Sequence, residues 1–152
     1  MRPLLAAIAL AAELLLGTAT RAAPADDARG LYERFYAAQN ARDLATVRAL
    51  FLDSPRFLWV SDGQSVWGRD AVLARMASFQ EYAVWRVAPE LDRATAVELN
   101  ADSAYLHLPL ALTLGESAPR ADTYRFLVSM LCVRTDAGWR IAALFTTREK
   151  EG

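Results

Sequence analysis

His107 is the only histidine of the chain and the side chain best suited to general acid–base chemistry near neutral pH. In that role it needs a carboxylate to orient the imidazole, either Asp62 or Asp53. It also needs a hydroxyl that donates a hydrogen bond to a developing oxyanion. The candidates for that donor are Tyr36, Tyr105 and Tyr124. The alternative is that His107 is a half-buried residue of an interface between subunits.

Aromatic side chains form a second group of candidate residues. A closed apolar pocket lined by rings holds a flat, largely apolar ligand, and tyrosine hydroxyls fix its orientation. The candidates for ligand binding are Tyr32, Tyr36, Trp59, Trp67, Trp85, Tyr105 and Tyr124. Trp67, which is expected in a loop before a helix, is the candidate for a lid at the pocket mouth. For each of these residues the alternative is ordinary core packing.

Other chemistries find no support in the composition. With one histidine and one cysteine, and no H-x-x-H or H-E-x-x-H spacing, a zinc site is not expected. No G-x-S-x-G motif is present, so a serine hydrolase is not expected either. No cofactor is predicted. The single Cys132 excludes an internal disulfide, and its apolar surroundings in sequence predict an inert buried thiol.

The first 25 residues have the pattern of a secretory signal peptide. Arg2 precedes a run over residues 4–16 that is apolar except for Glu13, and a small-residue stretch ends in Ala23-Pro24-Ala25. We expect cleavage between Ala22 and Ala25, and a secreted or periplasmic domain over residues 26–150. The alternative is an uncleaved anchor, but the apolar run is shorter than the roughly 20 residues needed to span a bilayer.

Charge limits the class of partner. Without Arg2, Arg21 and Glu13, the mature chain keeps 15 basic and 17 acidic side chains. Because nucleic-acid binding needs a basic face, no nucleic-acid partner is expected. No stable membrane anchor is expected after cleavage.

Helical patterns occupy the first half of the mature chain. Leu31, Phe35 and Ala38 recur at helical spacing, Asp43 can cap a second helix, and Gly68-Arg69-Asp70 leads into a third. Runs rich in β-branched and aromatic residues follow after a first short strand at 56–61. The later strands are predicted at 84–88, 94–99, 104–114, 122–134 and 139–147. Helices first and strands afterwards indicate an α+β domain with one strongly bent antiparallel sheet.

Both faces of the long strands are apolar. Alternation in residues 105–114 puts five leucines on one face, but the other face is not polar enough to be wetted. Helices would cover one face and a second subunit the other, so we expect a homodimer through the sheet. A tightly curled sheet is the alternative.

Four short motifs follow one another along the mature chain. They are Ala41-Arg42-Asp43-Leu44 with Leu50-Phe51, Val60-Ser61-Asp62-Gly63, Gly68-Arg69-Asp70-Ala71-Val72, and Gly138-Trp139-Arg140-Ile141. In order and spacing they resemble the SnoaL-like and DUF4440-like branch of the nuclear transport factor 2 (NTF2)-like superfamily over roughly residues 28–148. The resemblance implies an NTF2-like cone: three N-terminal helices packed on a strongly curved antiparallel sheet of five to six strands, with a cavity between them and often a dimer through the sheet.

Two functions from different classes are compatible with this fold, because the fold alone does not fix an activity. The leading hypothesis is a domain that binds a small apolar or aromatic molecule and performs no chemistry. The second is a cofactor-independent lyase or isomerase of the dehydratase, ketosteroid-isomerase or cyclase type, with His107 and Asp62 as its catalytic residues. A third is a protein whose cavity is filled by side chains, such as those of Trp59 and Trp85, and which acts only by dimerising or by docking to a partner.

Overall fold

The computed structural model describes residues 22–150. The predicted signal peptide lies outside the described residues except for its last four positions, 22–25. The helices are α1 (Pro24–Asn40), α2 (Leu44–Leu50) and α3 (Arg69–Phe79). No helix within residues 22–150 is long and apolar enough to cross a membrane.

Within residues 22–150, seven strands form one sheet. They are β1 (Leu58–Ser61), β2 (Gln64–Trp67), β3 (Val84–Pro89), β4 (Thr95–Asn100), β5 (Ser103–Gly115), β6 (Ala121–Thr135) and β7 (Gly138–Arg148). The strand order is β2-β1-β7-β6-β5-β3, and β4 also pairs with β5. Short 3-10 turns at Leu91–Arg93 and Ala118–Arg120 connect β3 to β4 and β5 to β6.

The long strands β5 and β6 are the centre of the sheet. They pair antiparallel along their length, from Ser103 opposite Val133 to Gly115 opposite Ala121. The other edge of β5 is divided between β3, which pairs with residues 110–115, and β4, which pairs with residues 103–107. Because one strand carries two different neighbours along the same edge, the sheet bends and stays open.

The core lies between the helices and one face of the sheet. Leu31 and Phe35 of α1 belong to the same buried cluster as Leu106 and Leu108 of β5 and Met130 of β6. Each large apolar side chain buried in this way contributes about 1.5–3 kcal/mol relative to its exposed state. The apolar face of α1, which follows from its helical spacing, thus packs on the apolar strand face that follows from period-2 alternation. This packing determines which face of the sheet the helices cover.

Two local devices set where the later helices begin. The carboxylate of Asp43 accepts a hydrogen bond from the backbone N–H of Thr46 at 3.0 Å, and this caps α2 as its position in the sequence predicts. Gly68 takes a φ of 87° before α3, a backbone conformation that glycine adopts without strain.

The predicted α+β cone of three helices on a curved sheet is confirmed. The structure has seven strands where five to six were expected, because Gln64–Trp67 forms β2 and not a loop. Asp62 and Gly63, with φ values of 52° and 70°, make the tight turn of the β1–β2 hairpin. The sheet is also mixed and not purely antiparallel, since β1 runs parallel to β7.

Candidate functional site

A cavity of about 290 Å³ lies between α1, α3 and the sheet. This volume is just below the roughly 300–1,000 Å³ of typical small-molecule sites. Its aromatic lining consists of Tyr32, Phe35, Trp59, Phe79, Trp85, Tyr124 and Phe126. Its aliphatic lining consists of Met76, Val87, Leu110, Leu112, Leu114, Val128 and Leu144, and its polar lining of Gln39, Ser61, Asp62, Thr146 and Arg148.

Strand alternation places most of the floor of the cavity. Leu110 and Leu112 of β5 lie opposite Phe126 and Tyr124 of β6, and all four side chains line the cavity. Alternate residues of a strand share a face, so the leucine face of β5 is the one that looks inward. The sequence left open which of the two apolar faces does so.

Tyr32 is the most deeply buried polar side chain of the cavity. It is 1% exposed, and its hydroxyl has no hydrogen-bond partner within residues 22–150. Burial raises the pKa of Tyr32 well above its ordinary value, with a smaller contribution from Tyr36. The hydroxyl is therefore protonated and available as a donor at every physiological pH.

The two cavity tryptophans differ in their hydrogen bonding. The indole Nε1 of Trp59 donates to Oγ1 of Thr146 at 3.2 Å. The indole Nε1 of Trp85 is buried and finds no acceptor among the described residues. Tyr32 and Trp85 thus each carry a buried donor without an acceptor among the described residues, and leaving such groups unpaired costs free energy.

Charged side chains lie at the rim. The Arg148 guanidinium stacks over the rings of Tyr124 and Phe126, with its Cζ 4.1 and 4.8 Å from the ring centroids. Asp62 lines the cavity from the β1–β2 turn and is exposed. The site thus combines an apolar interior with one cation and one anion at its mouth.

A family model describes this chain from α1 to the last strand. The model is that of the SnoaL-like domain, and it matches residues 29–144. The protein belongs to the SnoaL-like domain family. No curated protein is significantly similar in sequence to this SnoaL-like domain.

Solved structures share the fold of the SnoaL-like domain. A proposed dehydratase of the NTF2-like family from Streptomyces avermitilis has a TM-score of 0.73 at 16% identity, over 84% of this chain and 96% of that chain. An NTF2-like superfamily protein from Salmonella enterica has a TM-score of 0.72 at 11% identity, over 83% and 91%. An NTF2-like protein with a cystatin-like fold from Novosphingobium aromaticivorans has a TM-score of 0.68 at 15% identity, over 85% and 84%.

These likenesses establish the fold of the SnoaL-like domain as NTF2-like. At such low identity they carry no activity from one protein to another. The likeness to the DUF4440-like branch and the signal peptide stay predictions.

Five of the residues predicted for the site meet in the cavity of the SnoaL-like domain. These are Tyr32, Trp59, Trp85, Tyr124 and Asp62. Neither Trp59 nor Trp85 fills the cavity, which retains its volume with both rings in its wall.

The other four predicted residues lie elsewhere. Tyr36 packs between the two core clusters and does not line the cavity. Trp67 is 58% exposed in β2, not in a loop over the mouth. Tyr105 and His107 point away from the leucine face, and Nδ1 of His107 lies 2.9 Å from Oγ of Ser129. The sheet therefore separates His107 on its outer face from Asp62, which lines the cavity.

Several lining residues were not singled out from the sequence. Phe126 follows Tyr124 at period 2, so alternation alone would have included it once the inward face was known. Gln39, Thr146 and Arg148 carry no such signal. Within residues 22–150, no group of three or more His, Cys, Asp or Glu side chains is placed to hold a metal ion.

Proposed function

We propose that this SnoaL-like domain binds a small, flat, largely apolar molecule in its cavity and performs no chemistry on it. The observation that carries the proposal is the cavity of about 290 Å³ whose wall holds seven aromatic side chains. Burial of a ring among these side chains is favourable, since aromatic contacts add to the gain from burying apolar area.

Two measurements test ligand binding. Native mass spectrometry of the protein purified from its own host, compared with the denatured sample, should show an extra non-covalent mass. Titration with methyl 2-naphthoate, a neutral flat probe, should change the tryptophan fluorescence, because Trp59 and Trp85 line the cavity.

A pair of variants ties binding to the cavity. Leu112→Trp puts a large ring into the cavity wall and should abolish the response to the probe. Leu99→Trp is the matched control, because Leu99 is 54% exposed and does not line the cavity. An unchanged affinity in a folded Leu112→Trp protein would refute cavity binding.

Catalysis by a cofactor-independent lyase or isomerase is the second candidate function. Asp62 and Tyr32 both line the cavity, so a carboxylate and a phenol side chain surround the same space. The Streptomyces avermitilis protein with the same fold is described as a proposed dehydratase. His107 would contribute only from outside the cavity. Loss of turnover with retained ligand affinity in Asp62→Asn would favour this candidate.

We also propose that the domain works as a homodimer outside the cytoplasm. The location rests on the signal-peptide pattern of residues 1–25. The dimer rests on the outer face, which we define as the two strand-to-strand rows on the sheet surface opposite the helices. One row is Trp67, Leu58, Ala143, Leu131, Tyr105 and Val97, and the next is Ser65, Val60, Phe145, Ser129, His107 and Thr95.

The outer face has the character of an interface core. Its two rows contain no Lys, Arg, Asp or Glu, and Trp67, Tyr105 and Phe145 are among the most exposed large apolar residues of the described chain. The first row consists of apolar and aromatic side chains throughout, and monomeric proteins seldom expose large continuous apolar patches. A second copy offers the same uncharged surface, as a two-fold interface requires.

A further inference from the structure

Arg148 is held at the rim of the cavity by two of the rings that line it. Its guanidinium lies over the rings of Tyr124 and Phe126. Phe126 of β6 is also the residue that lies directly opposite Arg148 in the sheet. A cation–π contact uses none of the N–H donors of a guanidinium. The cation therefore lies beside the cavity, and within residues 22–150 its donors remain available to a ligand.

Nearby arginines are satisfied by carboxylates, but Arg148 is not. Glu149, the next residue, accepts a hydrogen bond from Nε of Arg125 at 2.7 Å. Arg93 donates to Glu90 at 2.6 Å. Across residues 22–150, no hydrogen bond or ion pair to a protein acceptor engages the Arg148 guanidinium. An acceptor from a bound molecule would complete its coordination.

Two carboxylates near the rim set the opposing field. Asp122 accepts a hydrogen bond from the Tyr124 hydroxyl at 3.4 Å, and Asp62 lines the cavity from the β1–β2 turn. Both would repel an anion, although exposure to solvent screens charges that are not in contact. Arg148 differs from them because it lies over two rings of the cavity wall and has a planar fork of donors that fits a carboxylate.

We propose that the ligand of the cavity is a ring-containing carboxylate whose apolar body lies inside and whose carboxylate pairs with Arg148 at the rim. This inference rests on the proposed binding function and adds the charge of the ligand to it. It distinguishes a carboxylic acid from the neutral and cationic molecules that the same apolar interior would hold.

Three probes with one ring system separate these alternatives. 2-Naphthoate carries the carboxylate, methyl 2-naphthoate is neutral, and 2-naphthylmethylamine is cationic near neutral pH. We expect 2-naphthoate to bind the unmodified protein about tenfold more tightly than the ester, at the lower end of the gain from a charge-assisted hydrogen bond, because the rim is exposed. Added salt should reduce this preference.

Variants assign the preference to one residue. Arg148→Gln should lower the affinity for 2-naphthoate about tenfold and change the affinity for the ester less than about twofold. Arg34→Gln is the matched control, because Arg34 is exposed on α1 and does not line the cavity. It removes the same charge and should leave both affinities unchanged. Retained ester binding shows that the Arg148→Gln cavity is intact.

Each other outcome has a definite meaning. Equal affinities for acid and ester, both indifferent to Arg148→Gln, would overturn the carboxylate assignment and leave cavity binding in place. Tighter binding of the amine would overturn it too, and would show that Asp62 and Asp122 dominate the rim. If none of the three probes bound, the proposed binding function itself would fail, and this inference with it.

Discussion

The side chain of Asn40 pairs with the backbone of Val87 through two hydrogen bonds. Its Nδ2 donates to the carbonyl oxygen of Val87 at 2.8 Å, and its Oδ1 accepts from the N–H of Val87 at 2.7 Å. Asn40 is the last residue of α1, and Val87 belongs to the edge strand β3. The side chain of Val87 lines the cavity. One carboxamide thus occupies the place of a further strand and joins a helix to a cavity wall.

We predict that Asn40→Ala destabilises the protein by about 2 kcal/mol, since it removes two hydrogen bonds and leaves backbone groups of a buried residue unpaired. Urea denaturation measures the change in the free energy of unfolding. Asn100→Ala is the control, because Asn100 accepts one hydrogen bond in an exposed turn and its loss should cost much less. Equal effects in the two variants would show that the joint contributes little.

Tyr32→Phe should stabilise the empty protein by about 1 kcal/mol. The buried hydroxyl of Tyr32 has no partner within the described chain, and removing an unsatisfied buried polar group recovers part of its desolvation cost. The melting temperature should rise. Tyr36→Phe, which removes a hydroxyl that is not among the buried groups without a partner, should not raise it. A less stable Tyr32→Phe protein would mean that the hydroxyl is already satisfied.

Phe145→Glu should convert the proposed dimer into a monomer. Phe145 is 43% exposed on the outer face, where a carboxylate would be buried against the apolar surface of a second copy. Sedimentation analysis gives the mass in solution, and methyl 2-naphthoate binding reports whether the cavity survives. Tyr82→Glu places the same charge on an exposed site outside the two rows and should leave the mass unchanged. A monomeric unmodified protein would rule out the dimer.

Cys132 should make stability fall at high pH. Burial raises the pKa of the Cys132 thiol from 9.0 to about 12. Above pH 9 the unfolded chain releases this proton while the folded chain keeps it, so the free energy of unfolding decreases as pH rises. The loss is about 1.4 kcal/mol per pH unit between the two pKa values.

The contribution of Cys132 is isolated by comparison with Cys132→Val, which keeps an apolar group of similar size. Urea denaturation at about pH 8 and about pH 10 should show a steeper loss for the unmodified protein than for the variant. The raised pKa of Tyr32 also lowers the free energy of unfolding at high pH, but this contribution is the same in both proteins. Parallel losses would mean that the folded thiol titrates normally. Reaction of Cys132 with a thiol reagent should likewise need unfolding.

Local signals in the sequence were sufficient for the helices. Leu31 and Phe35 lie in the core at the spacing that predicted α1, and Asp43 caps α2. The short strand β2 was not predicted because two of its four residues, Gln64 and Ser65, are polar and exposed. Its partner β1 and the Asp62-Gly63 turn give it its strand geometry, and periodicity does not report that pairing.

The position of the cavity could not be read from local patterns. Alternation correctly grouped the leucines of β5, but both faces of that strand are apolar, and only packing of the helices decides which face looks inward. For the same reason, local patterns did not reveal where His107 and Arg148 lie relative to the cavity. His107 falls on the outer face, whereas Arg148 reaches the rim through its register with Phe126 across β6 and β7.

The parallel pair of β1 and β7 links the beginning of the sheet to its end. Leu58 lies beside Ala143, and the backbone N–H of Leu52 donates to the carbonyl of Ile141 at 2.8 Å. Contacts between such distant positions slow folding, because a long loop must close before they form. During synthesis the β1–β2 hairpin therefore cannot pair with β7 until almost the whole chain has been made. A nascent chain that stops before β7 has no strand to join that hairpin to β6, and it lacks the cavity wall that Leu144, Thr146 and Arg148 provide.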